Sequence, residues 1–269
     1  MPQLIPCLNT STIRPAPLVD KIDLAAECGY KAIELWNDDL KAYVDKGGAL
    51  KDIRKRLDDH GLSVPDIIAL RGWIWSEGEE HKKALDDAKW RMEQAAAVGA
   101  PRIVATPSPG PVNVAKGAER YHELLELGKR FGVKPALEFL GFIEGLNNVK
   151  DCWAIASKAK HPDATVILDS FHMFRGGSAT TDLKAIPGDK VCVFHINDAP
   201  STPPREQQKD ADRVYPGDGI LDLAAMLNVL AAQGYKGPVS LELFNPAYWQ
   251  QDPRQVLKTG FQKMMRFMR

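Results

Sequence analysis

The chain has no excess of charge of either sign. Lys plus Arg and Asp plus Glu each number 35, a formal net charge of zero. A protein that works mainly on nucleic acid needs a basic face to neutralise phosphates, so nucleic acid is not the expected partner. Long apolar runs are missing too. No stretch of about 18 apolar residues is long enough to span a bilayer, and the N-terminal MPQLIPCLNTSTIRP lacks the apolar core of a secretion signal. The expected setting is soluble and cytoplasmic, with no membrane partner. Cysteine is sparse: Cys7, Cys28, Cys152 and Cys192 are scattered without a CxxC pair, which argues against a zinc ribbon, a dithiol redox motif or a disulfide framework. Cys7 and Cys192 sit in apolar runs where a thiol behaves as a small hydrophobe, and all four are expected to be reduced. No low-complexity tract or linker divides the sequence, so residues 1–269 read as one domain.

What is present is alternation. Short apolar runs begin at Leu4 (LIPCLNT), Ala32 (AIELW), Val64 (VPDIIAL), Arg102 (RIVATPS), Pro135 (PALEFL), Thr165 (TVILDSFH), Val191 (VCVFHIND) and Val239 (VSLELFN). Between them lie stretches such as HKKALDDAKWRMEQAAAVG, with apolar residues every three or four positions. Gly29, Gly61, Gly99, Gly132 and Gly234 stand where such helices should stop. Eight strand–helix units in series predict a parallel α/β sheet, and closure into a (β/α)8 TIM barrel removes its exposed edges. An open doubly wound sheet usually announces its ligand site with a glycine-rich first turn, and none follows Leu4–Thr10. The length suits one such barrel. The longest irregular segment, Ala199–Gly219, has the length of a functional loop or lid.

Four of the predicted strands end in residues that are costly to bury: Glu138, Asp169, His195 and Glu242. Side chains alternate along a strand. Ala136 therefore shares a face with Glu138, Ile167 with Asp169, Val193 with His195 and Ser240 with Glu242, while Leu137, Leu168, Phe194 and Leu241 face the outer helices. All four polar groups can then point into the C-terminal mouth, where barrel enzymes carry their sites. Three carboxylates converging there would repel one another and lose hydration; a divalent cation with one imidazole ligand resolves the conflict. The O3N donor set suits one Mn²⁺, Mg²⁺, Co²⁺ or Zn²⁺ ion.

The segments LEFLG, LDSFHMFRGG, FHIND, DRVYPGDGILDL and VSLELFNPAYW resemble the xylose-isomerase-like superfamily of sugar isomerases and epimerases, and within it the inosose isomerases. The similarity covers essentially the whole chain and is densest from Lys134 to Trp249. It implies metal binding by Glu138, Asp169, His195 and Glu242, with Glu138 and Glu242 also serving as the acid/base pair. It implies substrate contacts from His172 and Arg213. Glu144 matches a substrate-contacting glutamate of the ketose 3-epimerases. The implied reaction is proton transfer through a metal-held cis-enediolate of a ketose or keto-polyol such as an inosose. Chemistry supports these roles: a metal acts as Lewis acid on the adjacent oxygens, a carboxylate takes the proton, and a guanidinium offers a fixed fork of donors.

Competing readings are a dehydratase of the inosose or 3-dehydroshikimate type, the AP-endonuclease branch, and a non-catalytic sugar-binding barrel. The AP-endonuclease branch implies more histidines than the six here and a DNA-binding surface. The sugar-binding barrel would show a lost ligand. Barrels of this kind are often homodimers. Glu34 can support the site or touch substrate, and Asp198 reads as a turn residue. Trp73 and Trp75 read as packing rather than as a pocket wall. His60, His81, His122 and His161 read as solvated outer-ring residues, and the PGDG turn at Pro216–Gly219 is expected to aim Arg213 inward.

Overall fold

The computed structural model describes residues 4–268. Its strands are β1 (Ile5–Asn9), β2 (Ala32–Trp36), β3 (Ile67–Leu70), β4 (Arg102–Ala105), β5 (Lys134–Leu137), β6 (Val166–Asp169), β7 (Val191–Ile196) and β8 (Pro238–Leu241). All neighbours run parallel. β1 pairs with both β2 and β8, so the sheet closes in chain order into the expected barrel. Strands such as β3, β6 and β7 are buried along their whole length. Burial on both faces explains why they read as continuous apolar runs.

Outside, amphipathic helices cover the sheet. In Leu50–Asp59, for example, Ile53 and Leu57 face inward while the charged residues face water. The five glycines expected to end helices all have positive φ, a conformation that costs a side-chain-bearing residue.

Two apolar clusters show the predicted alternation. Leu137, Phe139, Leu168, Phe194, Leu241 and Leu243 pack between sheet and helices. Ala136, Ile167 and Val193 instead share a small cluster with Ile68, Ala69, Val104 and Cys192. These residues fill the barrel's interior, and the polar residues lie beside them toward the mouth.

Several elements are shorter than the sequence suggests. β5 and β8 stop one residue before Glu138 and Glu242, although the Glu138 amide still donates to the Ala105 carbonyl (3.1 Å) and the Glu242 amide to the Ile196 carbonyl (3.4 Å). The run TVILDSFH is not all strand. Asp169 caps a short helix, Ser170–Arg175, by accepting from the His172 amide at 2.7 Å, and this cap turns the chain where β6 ends. Two of the four outer histidines also differ from expectation. His81 and His161 are buried, because each pairs with a carboxylate on a helix: His81 with Glu123 (2.9 Å) and His161 with Glu126 (3.0 Å). The four cysteines are free and buried, and Trp73 packs against Tyr121 and donates to the Thr106 carbonyl at 3.0 Å.

Candidate active site and metal centre

His195 lies at the centre of the mouth. The register sets Asp169 of β6 beside it, and Ser240 of β8 on its other side. Its Nε2 contacts Glu34 Oε1 at 2.9 Å. Burial alone would lower the imidazole pKa, but the Glu242 and Glu34 charges hold it well above its ordinary value in the absence of an ion. With an ion bound, a proton on Nε2 donated to Glu34 would leave the Nδ1 lone pair free as a ligand. Nδ1 is buried with no hydrogen-bond partner, yet Glu138 Oε1 and Glu242 Oε2 lie 3.3 Å away and Asp169 Oδ2 lies 3.7 Å away. Two ligands that each stand about 2.0–2.2 Å from a shared ion are themselves about 3–4 Å apart. The spacings around Nδ1 fall in that range. Asp169, His195 and Glu242 each offer a ligand atom within 4.8 Å of the others, and Glu138 reaches the same imidazole nitrogen. The residues therefore fit a divalent ion, and the Glu34 contact is the kind that orients a ligating histidine.

Electrostatics separates the roles of these acids. Burial pushes the Asp169 carboxyl up, but the charge of Arg213, then of His172 and His195, brings it well below the usual carboxylate range. Glu242 goes the other way: burial raises it, and His195 and Arg213 do not fully offset the rise. Glu34 is pushed up by burial, but the charge and hydrogen bond of His195 bring it below its ordinary value. Asp66, fully buried beside Glu34, is held far above the usual range by burial and by the Glu34 charge. Asp66 therefore holds its proton more tightly than an ordinary carboxyl, while Glu34 releases its own more readily.

Arg213 is fully buried. Its Nη1 donates to Asp169 Oδ2 (2.8 Å) and Glu242 Oε2 (2.7 Å), its Nε and Nη2 contact Asp210 Oδ1, and Nη2 lies 3.2 Å from His172 Nε2. Phe171 and Phe244 cover the guanidinium at 5.1 and 5.2 Å. The loop that carries it is pinned rather than free. Gln208 Nε2 donates to the Pro200 and Pro203 carbonyls, both at 2.7 Å, and Arg175 Nε reaches the Gln208 carbonyl. Asp198 accepts from the amides of Ala199, Gly217 and Leu221, the turn role expected of it. The PGDG turn needs its glycines: Gly217 has φ +86°, and a side chain at Gly219 would strike the Asp198 carboxylate.

A cavity of about 260 Å³ opens above these groups, lined by Glu138, His172, His195, Arg213 and Glu242 and walled by Trp36, Leu140, Phe142 and Phe244. It is smaller than the pockets of about 300–1,000 Å³ that hold drug-sized ligands, and suits a small polyol. His172 faces it with Nδ1 unpartnered. Glu144 does not reach the cavity. Its side chain is exposed, because its carbonyl is tied to the Gly110 amide (3.0 Å) and Phe142 supplies that segment's contact with the site. Trp73 and Trp75 do not line it either.

Three supporting residues escaped the sequence reading. Asn9 Nδ2 donates to Glu242 Oε1 (2.9 Å) and Glu34 Oε2 (3.3 Å), Asn197 Nδ2 donates to Asp169 Oδ2 (3.0 Å), and Asp66 adjoins Glu34. Asn9 carries the same signal as the four acidic and imidazole groups, a polar residue closing an apolar strand. Asp66 stands inside the predicted run VPDIIAL, a charge in an apolar stretch and so a signal of a similar kind; in the structure it lies just before β3.

Comparisons with known proteins agree with the barrel fold. The family described as Xylose isomerase-like TIM barrel matches residues 22–267. An inosose isomerase of Halalkalibacterium halodurans is 29% identical over 94% of this chain and 93% of its own. A 3-dehydroshikimate dehydratase of Pseudomonas putida is 27% identical over 92% of this chain, which spans 39% of that longer protein. The crystal structure of IOLI protein with a bound zinc atom superposes with a TM-score of 0.92 at 26% identity, over 98% of each chain.

Proposed function

The chain belongs to the xylose isomerase-like TIM-barrel family, and on that footing we propose that it is a divalent-metal-dependent isomerase or epimerase of keto-polyols or ketoses, with an inosose as its first candidate substrate. The observation that carries the reading is the buried, unpartnered Nδ1 of His195, ringed by oxygens of Glu138, Asp169 and Glu242. An ion held by these four residues would supply Lewis acidity, stabilising negative charge on neighbouring carbonyl and hydroxyl oxygens.

The chain's own groups do the rest. Glu138 and Glu242 follow β5 and β8 and both line the cavity; one removes the proton beside the carbonyl and the other returns it. Arg213 and His172 hold substrate oxygens, and the apolar wall of Trp36, Leu140, Phe142 and Phe244 limits water around the exchanging carbon. Four free, buried cysteines suit a reducing compartment, and we assign the protein to the cytoplasm.

The test is exchange of the substrate α-proton with solvent deuterium, followed by NMR on Mn²⁺-loaded protein with inososes and ketoses. Wild type should exchange, and both Glu138→Gln and Glu242→Gln should not. Exchange retained in both variants would refute the assignment. The P. putida relative favours a second outcome, elimination, on the same scaffold. Loss of water or a new conjugated chromophore in the product would select it.

A further inference from the structure

The metal-centre residues occupy β5–β8; in the rest of the mouth Asn9 and Glu34 support them and Trp36 walls the cavity, while the arginines there have no role yet. Arg14 follows β1, Trp36 ends β2 and Arg71 follows β3, so the three come from adjacent strands and line the same cavity as Glu138, His195 and Glu242. Both arginines are exposed. The third cavity arginine, Arg213, has its charge met by Asp169, Asp210 and Glu242. Among the described residues, Arg14 and Arg71 form no ion pair; the exposed Arg130 and Arg266 form none either, but only Arg14 and Arg71 of these four line the cavity.

The acids that line the cavity are Glu138, Asp210 and Glu242. In the metal-centre reading Glu138 and Glu242 face the ion, and Asp210 contacts Arg213 through two of its nitrogens. None of this charge is left for the arginines across the mouth. A neutral polyol accepts hydrogen bonds from guanidinium groups but leaves their charge unmet, while a carboxylate or phosphate matches both the charge and the planar fork of donors. Arg14 is also held in place. Its guanidinium lies 5.7 Å from the Trp36 ring centre, and Trp36 is fixed by donating Nε1 to Asn9 Oδ1 (3.0 Å) and by meeting Phe244 edge-on at 5.9 Å. A side chain already stacked loses less freedom when it grips a ligand.

We infer that the substrate is a ketose or keto-polyol that, unlike a neutral inosose, carries an oxyanion, a carboxylate or a phosphate ester, at the end remote from the proton-exchanging carbons, and that Arg14 and Arg71, which line the same cavity as the metal ligands, bind it. The inference rests on the isomerase reading for which end of the substrate reacts, and on cavity geometry alone for the anion subsite.

Three probes separate the two. D-Fructose, D-fructuronate and D-fructose 6-phosphate share one ketose skeleton and differ at C6 alone. Their binding to Mn²⁺-loaded wild type, Arg14→Gln and Arg71→Gln is measured by calorimetry at low and high salt, and their α-proton exchange by NMR. One or both anions should bind wild type at least tenfold more tightly than fructose, with an affinity that falls as salt rises. Each substitution should weaken anion binding by about 10–100-fold, a loss at least tenfold greater than that for fructose. The tighter anion identifies carboxylate or phosphate as the group recognised. Equal affinity for all three probes, no binding of either anion, or an anion preference that survives in both variants and so belongs to the metal alone would each overturn the inference. Absence of proton exchange with every probe, and with inososes, would instead count against the isomerase reading and leave the binding comparison to decide the subsite.

Discussion

The two halves of the barrel mouth are built from different chemistry. β5 to β8 bring Glu138, Asp169, His195 and Glu242 to the mouth, three buried acids set 3.3 to 3.7 Å from one imidazole nitrogen. β1 to β4 lead into Asn9, Glu34, Trp36, Arg71 and Thr106, a mixture of supporting polar groups, an aromatic wall and exposed positive charge. The first set can hold an ion and move a proton. The second can orient that set from behind, through Glu34 and Asn9, and can recognise the part of a substrate that does not react. On the proposed reading the reacting groups gather in one half with Arg213 and His172 beside them. The other half supports them and meets the far end of the substrate, and each half should fail in its own way when altered.

The largest expected effect falls on the reacting half. Glu138→Gln and Glu242→Gln keep the shape of the side chain but not its basicity, and each should lower kcat by about 10²–10⁴-fold in a steady-state assay on the preferred substrate. A loss confined to KM would show that these carboxylates only bind.

Next comes a residue of the other half that acts on the first. Glu34→Gln removes the charge that holds the Nε2 side of His195, and should weaken Mn²⁺ binding by about 10–100-fold. Equilibrium titration checks this, and unchanged affinity would cut the proposed link between the halves. Asp198→Ala strips the acceptor from the amides of Ala199, Gly217 and Leu221 and should cost about 1–3 kcal/mol of stability in denaturant unfolding. Since that loop carries Arg213, KM should rise with it.

The smallest effect is the most sensitive to electrostatics. Burial and the Glu34 charge hold the Asp66 carboxyl far above its ordinary range, so the folded protein keeps its proton while the unfolded chain releases it above roughly pH 4. The neutral acid's contribution to stability is complete below that pH and is lost as pH rises toward the folded value. Asp66→Asn does not titrate. Its stability relative to wild type should therefore increase between pH 4 and pH 7, as read from unfolding midpoints. A difference that stays flat or falls would mean that Asp66 is ionised in the fold.

The same division explains what could be read in the sequence. Hydrophobic alternation gave the barrel because parallel strands buried on both faces leave continuous apolar runs. Glu138, Asp169, His195 and Glu242 were visible because charge at the end of such a run is expensive. Arg213 and His172 came through resemblance, and the structure brings both to the cavity. Glu144 came the same way, but its loop takes another course and leaves it exposed. Arg14 and Arg71 gave no signal, since an arginine in a loop is ordinary until the fold turns it toward a cavity. The paired His81 and His161 were hidden for a related reason: their partners are far away in sequence, and no local pattern reports a neighbour brought in by the fold.

One titration bears most directly on the central claim. Metal-stripped wild type, Asp169→Asn and His195→Ala are titrated with Mn²⁺ by calorimetry, with thermal unfolding recorded on the same samples. The account predicts one ion per wild-type chain, an unfolding temperature raised by the bound ion, and loss of both in either variant. A wild type that binds no ion, or variants that bind it as wild type does, would contradict it.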